Sequence, residues 1–482
     1  MTYFLKSCGR FLKFRTPVTS SPTCPGDHNP RSHVNPPSRL PNMGTNRITI
    51  RHGTRPMKSL INTFLGALTL MAAIFSSAYA TTPDPLTEPL LHSSNLQYEG
   101  SFQVPGGGTN QTSFAYGGRG ITYDPVNNGL IMTGHPWYQY TAEISIPTPI
   151  KSTSISGLPT ATFIQNFTDA LDGKLNSINP TGPNPNVIGG YLVYNGNLII
   201  SAYSTYDAGD SQIASHFSRN LTLSSTNPVI GPERVGTLYP GFVSGYMSLI
   251  PPEWQNLFGG PALTGNCCLS IASLQSNGPA ASVFDPSQLS AAQSIPATPV
   301  LGYPYPHTLG PGDTSQSTQF NLSTNIRGLV FPNGTRSVLF IGTQGIGPYC
   351  YGPGTSDTTL AGTPANSADD WCYDPTNASK GPHAYPYVYQ VWAYDANTLL
   401  SVENGAIPQY SPTPYAIWTL KLPYTTDTSP ISIGGAAYDP STGTLYISQG
   451  CVASACTPII DVFKITLTSE PTPNPPSAAT VH

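Results

Sequence analysis

Two stretches near opposite ends of the chain share one pattern. The first is Ile433–Asp439 (IGGAAYD), followed by PSTG and by Thr444–Gln449 (TLYISQ). The second is Gly117–Asp124 (GGRGITYD), followed by PVNNG and by Leu130–His135 (LIMTGH). Each combines a small-residue entry, a short apolar run, a turn that begins Tyr-Asp-Pro and a second apolar run. Because a polar turn between two short apolar runs is typical of a β-hairpin, the pattern predicts a repeated hairpin.

Two further copies and a degenerate fifth lie between these stretches. They are Ile188–Tyr194 with Leu198–Tyr203, Ile326–Phe331 with Val338–Thr343, and Ser244–Ile250 with, after an insertion, Cys267–Ile271. The first two copies contain Asn-Gly turns, which favour hairpins because type I′ turns need positive φ at both central residues. Five such units, with more strand candidates between them, predict an all-β fold. The simplest form is a single β-propeller of five four-stranded blades.

The segment Leu96–Phe102 precedes the first unit. We expect it to supply the outer strand of the last blade, which would close the ring and cover a sheet edge. The spacing between the units is uneven, so six or seven blades stay open. A pair of all-β sandwiches is the alternative fold.

The N-terminal region has the features of an export signal. Met57 and Lys58 precede an apolar run, Leu60–Phe75, and the triplet Ala78-Tyr79-Ala80. A basic start, an apolar core and an A-x-A end predict a signal peptide over 57–80, and the run is short for a membrane anchor. We interpret 1–56 as an over-extended reading frame, 81–470 as the propeller domain and 471–482 as a disordered tail. The predicted location is secreted or periplasmic.

Charge restricts the partners of the predicted mature chain. Ten of the 20 Lys and Arg residues lie in 1–80, but only one of the 24 Asp and Glu residues does. Residues 81–482 therefore carry 10 basic and 23 acidic side chains, a formal net charge of −13. Such a surface repels nucleic acid and anionic membranes, so we expect neither as a partner, and the predicted mature chain contains no apolar run that would span a membrane.

Six cysteines follow the predicted signal peptide: Cys267, Cys268, Cys350, Cys372, Cys451 and Cys456. An even number in an exported chain favours disulfides, although the count alone allows about 15 pairings. Proximity favours Cys350–Cys372 and Cys451–Cys456. Cys267 and Cys268 are left as a vicinal disulfide, two buried thiols, or bonds to other partners. Zinc is disfavoured because no histidine lies at ligand spacing from a cysteine.

The hairpins resemble propeller repeats of the broad YVTN/NHL kind. The stretches 326–342 (IRGLVFPNGTRSVLFIG) and 381–400 (GPHAYPYVYQVWAYDANTLL) are similar to those of uncharacterised exported bacterial β-propeller proteins. The resemblance extends over most of the predicted mature chain. It implies the fold and export, and it implies no catalytic residue.

Aligning the repeats predicts which side chains surround the channel. In a propeller, the first residues of strand one and the last residues of strand two share a rim, and ligands usually bind there. Arg119, Arg327 and Tyr246 occupy the entry positions, with Gly189 and Gly434 in the other two units. The exits provide His135, Tyr203, Gln344 and Gln449. A long loop, Gln344–Tyr385, follows in the fourth unit and carries Trp371, and long ordered loops are often functional.

The predicted rim set allows two kinds of chemistry. Arg119 and Arg327 would bind a carboxylate, sulfate or phosphate, or else pair with acids and join neighbouring blades. His135 would act as an acid or base, or be an ordinary hydrogen-bonded rim residue. Tyr203, Tyr246, Gln344, Trp371 and Gln449 are the predicted ligand-binding residues. No cofactor motif occurs and no metal site is predicted, with calcium bound by loops left open.

Two functional hypotheses follow. In the first, an exported propeller binds a polar oligomer, with glycan as the expected class, at the channel mouth. If this propeller is catalytic, Arg119, Arg327 and His135 would support β-elimination on a uronic acid, as in a polysaccharide lyase, with glycoside hydrolysis as the other enzyme class. In the second, the propeller is a non-catalytic scaffold for protein interactions. The fold does not choose between them.

Overall fold

The structure is a computed structural model that describes residues 84–266, 271–290, 294–305, 307–310, 317, 319–425 and 431–467. Strands account for most of its regular structure. In chain order they are β1 (Leu96–Gln103), β2 (Ile121–Asp124), β3 (Gly129–Thr133), β4 (Thr141–Ser145), β5 (Phe163–Thr168), β6 (Asn186–Tyr194), β7 (Asn197–Ser204), β8 (His216–Asn220), β9 (Ile230–Val235), β10 (Met247–Leu249), β11 (Ala262–Thr264), β12 (Ala281–Phe284), β13 (Ser294–Ile295), β14 (Ala297–Leu301), β15 (Asn325–Val330), β16 (Ser337–Gly345), β17 (Cys350–Thr355), β18 (Cys372–Tyr373), β19 (Lys380–His383), β20 (Tyr387–Asp395), β21 (Ala416–Thr419), β22 (Ile433–Asp439), β23 (Thr444–Gln449) and β24 (Ile459–Ile465).

Helices are short and lie in the connections. The described α-helices are α1 (Pro252–Phe258) and α2 (Ala396–Glu403). The described 3₁₀ turns are Pro85–Thr87, Ser93–Asn95, Asn110–Thr112, Ile155–Gly157, Leu175–Ile178, Pro240–Phe242, Ala272–Leu274, Pro286–Gln288 and Ser454–Cys456. Within the described ranges, none of the helices has the length and apolar character needed to cross a bilayer.

The strands form several antiparallel sheets of four. In chain order of their first strands, these sheets are β2-β3-β4-β5, β6-β7-β8-β9, β10-β11-β12-β14, β15-β16-β20-β21 and β22-β23-β24-β1, and we number them one to five. Strand β13 adds to the second sheet in parallel with β9. A smaller sheet, β18-β17-β19, is formed within the long loop of the fourth sheet. The all-β class with four-stranded antiparallel sheets is therefore confirmed.

The first strands of the five sheets contact one another in a cyclic order. Strand β2 contacts β6 and β22, β10 contacts β6 and β15, and β15 contacts β22. A cavity of about 400 Å³ is lined by residues from all five of these strands. We call the space enclosed by the five strands the channel, its end at the starts of the first strands the rim, and its opposite end, where this cavity lies, the far end.

Apolar clusters fill the spaces between successive sheets. Leu130 and Ile131 show why, because neighbouring side chains on a strand point to opposite faces. Leu130 belongs to the same apolar cluster as Ile460 of the fifth sheet, and Ile131 belongs to the same cluster as Tyr191 of the second. Both sides of these strands are buried, which explains their continuous apolar runs. The other interfaces are filled in the same way, by Ile199 with Met247, Phe340 with Leu263, and Leu339 with Leu445.

Glycines at the rim allow neighbouring first strands to approach closely. A Cβ at Gly434 would lie 1.9 Å from the Gly118 carbonyl oxygen, and one at Gly189 would lie 1.9 Å from that of Ser244. The Gly120 amide donates a hydrogen bond of 3.0 Å to the Gly434 carbonyl, so the first and fifth sheets are joined directly at the rim. The small-residue entries of the sequence repeat are thus a consequence of how narrow the channel is.

The predicted hairpins occur, with two differences in detail. Asn195 and Gly196 both have positive φ, as a type I′ turn requires, whereas in the Asn333-Gly334 pair only Gly334 does. The second strand of the third sheet is β11, not a strand beginning at Cys267. Strand β11 gives little signal in the sequence because it has only three residues. An insertion containing α1 also separates it from β10, so the two strands do not read as a hairpin.

The predicted outer strand and two disulfides are also present. Strand β1 pairs antiparallel with β24, from Leu96 opposite Ile465 to Gln103 opposite Ile459. Cys350–Cys372 and Cys451–Cys456 are bonded, which is compatible with an oxidising location. Cys267 and Cys268, the predicted signal peptide and residues 1–56 and 471–482 lie outside the described residues.

Candidate functional site

Arg119 and Arg327 lie on either side of one glycine-bearing strand. Arg327 is the extra residue of a β-bulge between Ile326 and Gly328 in β15, and Arg119 lies just before β2. Strand β22 runs between β15 and β2. Next to the two arginines, β22 consists of Gly434 and Gly435. A side chain at Gly435 would have its Cβ 3.3 Å from the Arg327 carbonyl oxygen, so this strand passes close to Arg327. The bulge leaves Arg327 without a partner residue in the β15–β16 ladder, and the two glycines place no side chain of β22 at this level.

The two guanidinium groups act on each other electrostatically. Repulsion from Arg327 and then burial lower the pKa of Arg119 to about 10, and Tyr203 opposes the shift. Arg119 is nevertheless exposed to solvent. A residue that is surrounded by protein and still touches water is expected on the wall of an open channel. Among the described residues, Arg119 has no ion pair and no hydrogen bond to its side chain.

Tyr203 is the predicted ligand residue that interacts electrostatically with Arg119. It is in the last part of β7 and is buried. Its effect on the pKa of Arg119 indicates that the two side chains are close. Arg119, Arg327 and Tyr203 therefore belong to one part of the rim.

His135 belongs to an aromatic cluster beside the first sheet. Its ring lies 5.3 Å from Tyr138, 5.6 Å from Trp137 and 5.9 Å from Tyr116, measured between centroids. The three neighbours are exposed, Trp137 to 85% and Tyr116 to 58%. A Cβ at Gly117 would lie 2.6 Å from the Gly134 carbonyl oxygen, so the loops carrying Tyr116 and His135 are adjacent. We call Tyr116, His135, Trp137 and Tyr138 the aromatic patch.

The protonation of His135 follows from its surroundings. Its Nδ1 accepts a hydrogen bond of 3.2 Å from the Trp137 amide, and burial lowers the pKa of the imidazole. A neutral ring that accepts at Nδ1 has its proton on Nε2. His135 can therefore donate a hydrogen bond to a ligand, but it is poorly arranged to remove a proton. No contact within the described residues joins it to Arg119 or Arg327.

Three other predicted ligand residues are buried beneath the rim. The Gln344 amide donates to the Ser317 and Gly345 carbonyls and accepts from Thr324. Gln449 donates to Tyr389 and Thr425. Tyr246 accepts from the Ala280 amide and packs edge-on against Phe340. Gln344 satisfies buried backbone, Tyr246 packs in the core, and Gln449 bonds to two side-chain hydroxyls, so we leave all three out of the site proposed below.

The long loop after β16 is fixed by a buried ion pair as well as by Cys350–Cys372. His383 Nδ1 lies 2.8 Å from Asp374 Oδ2, and both side chains are almost fully buried. Tyr387 donates to the same Asp374 oxygen at 2.7 Å. His383 Nε2 faces the carbonyls of Gly352 and Ser379, so both ring nitrogens face acceptors, as in a protonated imidazole.

The pKa values of this pair agree with an ion pair. Burial alone lowers the pKa of His383, but the hydrogen bonds to Asp374 and Ser379 outweigh it and raise the pKa above its usual value. For Asp374, burial is outweighed by hydrogen bonds from His383, Thr376 and Tyr387, which bring its pKa to about 2.

Trp371 lies in the same loop, partly exposed, and its backbone bonds to Thr363 and Gly362.

Sequence reasoning missed most of the aromatic patch. The signal was present in His135-Pro-Trp-Tyr138, four consecutive residues with three rings directly after a predicted strand. Tyr116 lies next to the Gly117-Gly118 entry, where the repeat emphasises only small residues. For metals, no group of three or more His, Cys, Asp or Glu side chains arranged to hold an ion occurs in the part of the chain that the structure describes.

Comparisons with known proteins give distant structural likenesses. No family model matches the chain, and no curated protein is similar to it. An arabinanase from Bacillus subtilis is 10% identical, with 76% of this chain and 96% of that chain covered and a TM-score of 0.37. A glycosyl hydrolase from Bacteroides ovatus is 11% identical, with 78% and 92% covered and a TM-score of 0.35. A carbohydrate-active enzyme of family AA12 from Trichoderma reesei is 11% identical, with 78% and 99% covered and a TM-score of 0.30. At this level of similarity, any function has to be argued from the geometry described above.

Proposed function

We propose that the protein binds an acidic oligosaccharide or polysaccharide at the rim of the channel. Arg119 and Arg327 would together hold one carboxylate or sulfate group of the ligand. The observation that carries the proposal is their position on either side of Gly434 and Gly435, two residues of β22 that have no side chains. Arg327 acts electrostatically on Arg119, so the two cationic side chains are close, and guanidinium groups bind carboxylates and sulfates through paired hydrogen bonds.

The aromatic patch supports a sugar as the rest of the ligand. Exposed rings such as Trp137 and Tyr116 offer flat apolar faces, and Tyr138 and His135 add hydrogen-bonding atoms. A saccharide ring has the same combination of apolar faces and polar edges. Large exposed aromatic groups on a folded protein often mark a binding surface.

Net charge limits how densely the ligand is charged. Residues 81–482 carry a formal charge of −13, which repels a dense polyanion at long range. Two local arginines would favour a chain whose acidic groups are spaced apart, such as a uronate-containing glycan. We expect binding without cleavage, because the neutral His135 ring has its proton on Nε2 and contacts aromatic residues instead of the arginine pair.

The proposal assumes a five-bladed propeller closed by β1. This finer description is supported by the cyclic contacts among β2, β6, β10, β15 and β22 and by the channel that all five line. It is also supported by the pairing of β1 with β24. Export remains part of the proposal, since an extracellular glycan would be met outside the cell.

Binding assays with arginine variants test the proposal. Isothermal titration of the purified protein with polygalacturonate and alginate should show saturable binding, while amylose and a neutral β-glucan should bind far more weakly. Arg119→Ala and Arg327→Ala should each weaken uronate binding by about 10- to 100-fold, the range for losing hydrogen bonds to a charged group.

The matched control is Arg234→Ala. Arg234 lies in β9, and its guanidinium bonds to the Thr237 and Leu238 carbonyls of its own connection. This variant should bind uronates like the wild type. Equal binding of neutral and acidic glycans, or wild-type affinity in Arg119→Ala, would contradict the proposal. A complete lack of glycan binding would favour the scaffold hypothesis, and release of unsaturated uronides, followed by absorbance, would show that cleavage occurs after all.

A further inference from the structure

The far end of the channel has a chemistry of its own. The cavity of about 400 Å³ is lined by residues that follow the predicted entry positions of the first strands and by the turns after these strands, and none of the entry residues lines it. One lining residue from each strand illustrates this: Ile121, Leu192, Met247, Leu329 and Ala436. Small-molecule sites have volumes of roughly 300–1,000 Å³. Because rigid strands from five sheets form the wall, the space is preformed and does not depend on a mobile loop.

The lining offers no free charge. Among the described residues that line the cavity, Asp439 is the only one with a charged side chain. Its Oδ1 accepts from the amide and hydroxyl of Ser441, and its Oδ2 accepts from the Thr442 hydroxyl. Both carboxylate oxygens are thus used within the turn. A charged ligand would lose its hydration here without gaining a partner.

Aromatic and aliphatic side chains provide the contact surface. Tyr123, Phe331 and Tyr438 supply rings, and the Tyr123 hydroxyl is already bonded to Asn128. Leu249 lies at the end of β10 and keeps 37% of its surface exposed. Water held against such walls makes few hydrogen bonds, so an apolar ligand that displaces it gains free energy.

We propose that this cavity is a second binding site, for an uncharged small molecule that contains an aromatic or alicyclic ring. The site is independent of the glycan site, because it lies at the opposite end of the channel and uses none of the rim residues. The volume of the cavity limits the size of the ligand. The lack of a free charged group in the lining favours an uncharged ligand, and the aromatic side chains of the lining favour a ligand that contains a ring.

Fluorescence of a neutral apolar dye tests this second site. N-phenyl-1-naphthylamine should bind the purified protein saturably, with one molecule per chain. The anionic dye 8-anilinonaphthalene-1-sulfonate, which has a similar ring system, should bind at least tenfold more weakly. Equal affinity for the two dyes would overturn the proposed preference for an uncharged ligand.

Two leucines give a matched pair of variants. Leu249 lines the cavity and Leu257 of α1 does not, yet both are 37% exposed. Leu249→Asp should weaken dye binding at least tenfold, while Leu257→Asp should leave it unchanged. If Leu249→Asp does not fold, dye binding is measured on Leu249→Trp instead. This variant fills the cavity without adding a charge and should also weaken dye binding. Unchanged binding in the folded Leu249 variant, or an equal loss in Leu257→Asp, would overturn the proposal.

Discussion

The two ends of the channel are made by the same five strands, yet they differ in packing and in charge. At the rim, the backbones at Gly434 and Gly189 approach their neighbours so closely that no side chain fits. Arg119 and Arg327 lie at this end, on either side of β22. At the far end the strands carry apolar side chains and enclose a cavity. The difference shows that one repeat can serve two purposes, since the position along the strand decides whether a residue joins neighbouring sheets or lines the channel.

The largest expected effect comes from closing the space at a rim glycine. Gly434→Ala places a Cβ 1.9 Å from the Gly118 carbonyl oxygen, so the first and fifth sheets must move apart. We expect the free energy of unfolding to fall by about 2–3 kcal/mol, the range for overpacked sites. Urea unfolding followed by tryptophan fluorescence measures it. Gly381 has open space around the same position, so Gly381→Ala should change stability by less than about 0.5 kcal/mol.

The second prediction concerns the pH dependence of local stability. It should be seen in the long loop after β16 and not in the strands at the far end. His383 has a raised pKa, so its contribution to stability is complete below the unfolded value of 6.5 and is lost as pH rises through the folded pKa. Asp374 has a lowered pKa, so its contribution is present above 3.8 and is lost as pH falls through about 2. The long loop should be held most strongly between about pH 4 and pH 6.5, and less strongly at alkaline pH.

Hydrogen exchange of residues 346–386 measures this pH dependence, after correction for the intrinsic exchange rate. Protection should decrease between pH 6 and pH 9, while protection of the far-end strands should not. His383→Gln should abolish the dependence. His307→Gln is the control, because His307 stacks on Tyr410 at 3.9 Å and has no part in the ion pair. The same pH response in both variants would argue against the role of His383.

The smallest effect concerns the arginine pair itself. If Arg119 and Arg327 are held together for a ligand, removing one should relieve repulsion and stabilise the protein. Arg119→Ala should raise the free energy of unfolding at low ionic strength by up to about 1 kcal/mol, since solvent screens part of the charge, and the gain should shrink in salt. Thermal unfolding at two salt concentrations measures it. A loss of stability would instead support the alternative that Arg119 joins neighbouring blades.

Much of this fold could be predicted from local sequence, because each hairpin contains its own signals. Entries that contain glycine, followed by apolar runs, mark β2–β3, β6–β7, β15–β16 and β22–β23. The exception is β11, three residues long and separated from β10 by an insertion containing α1, where tertiary packing decides the pairing.

The site was harder to predict. The alignment finds rim positions, but it does not tell that Gln344 bonds to backbone or that Tyr246 packs in the core. The far-end cavity depends on how far apart five strands lie, which no single stretch of residues encodes.

The pairing of β1 with β24 has a consequence for synthesis of the protein. The hydrogen bond from Asn95 to Thr466 links residues 371 positions apart. When the ribosome has made the first four sheets, β1 is still without its partner β24. The early part of the chain must therefore wait until translation has passed Ile465 before its own first strand is covered. Until then β1 has no strand to pair with, which makes this interval the one in which chaperones are most needed.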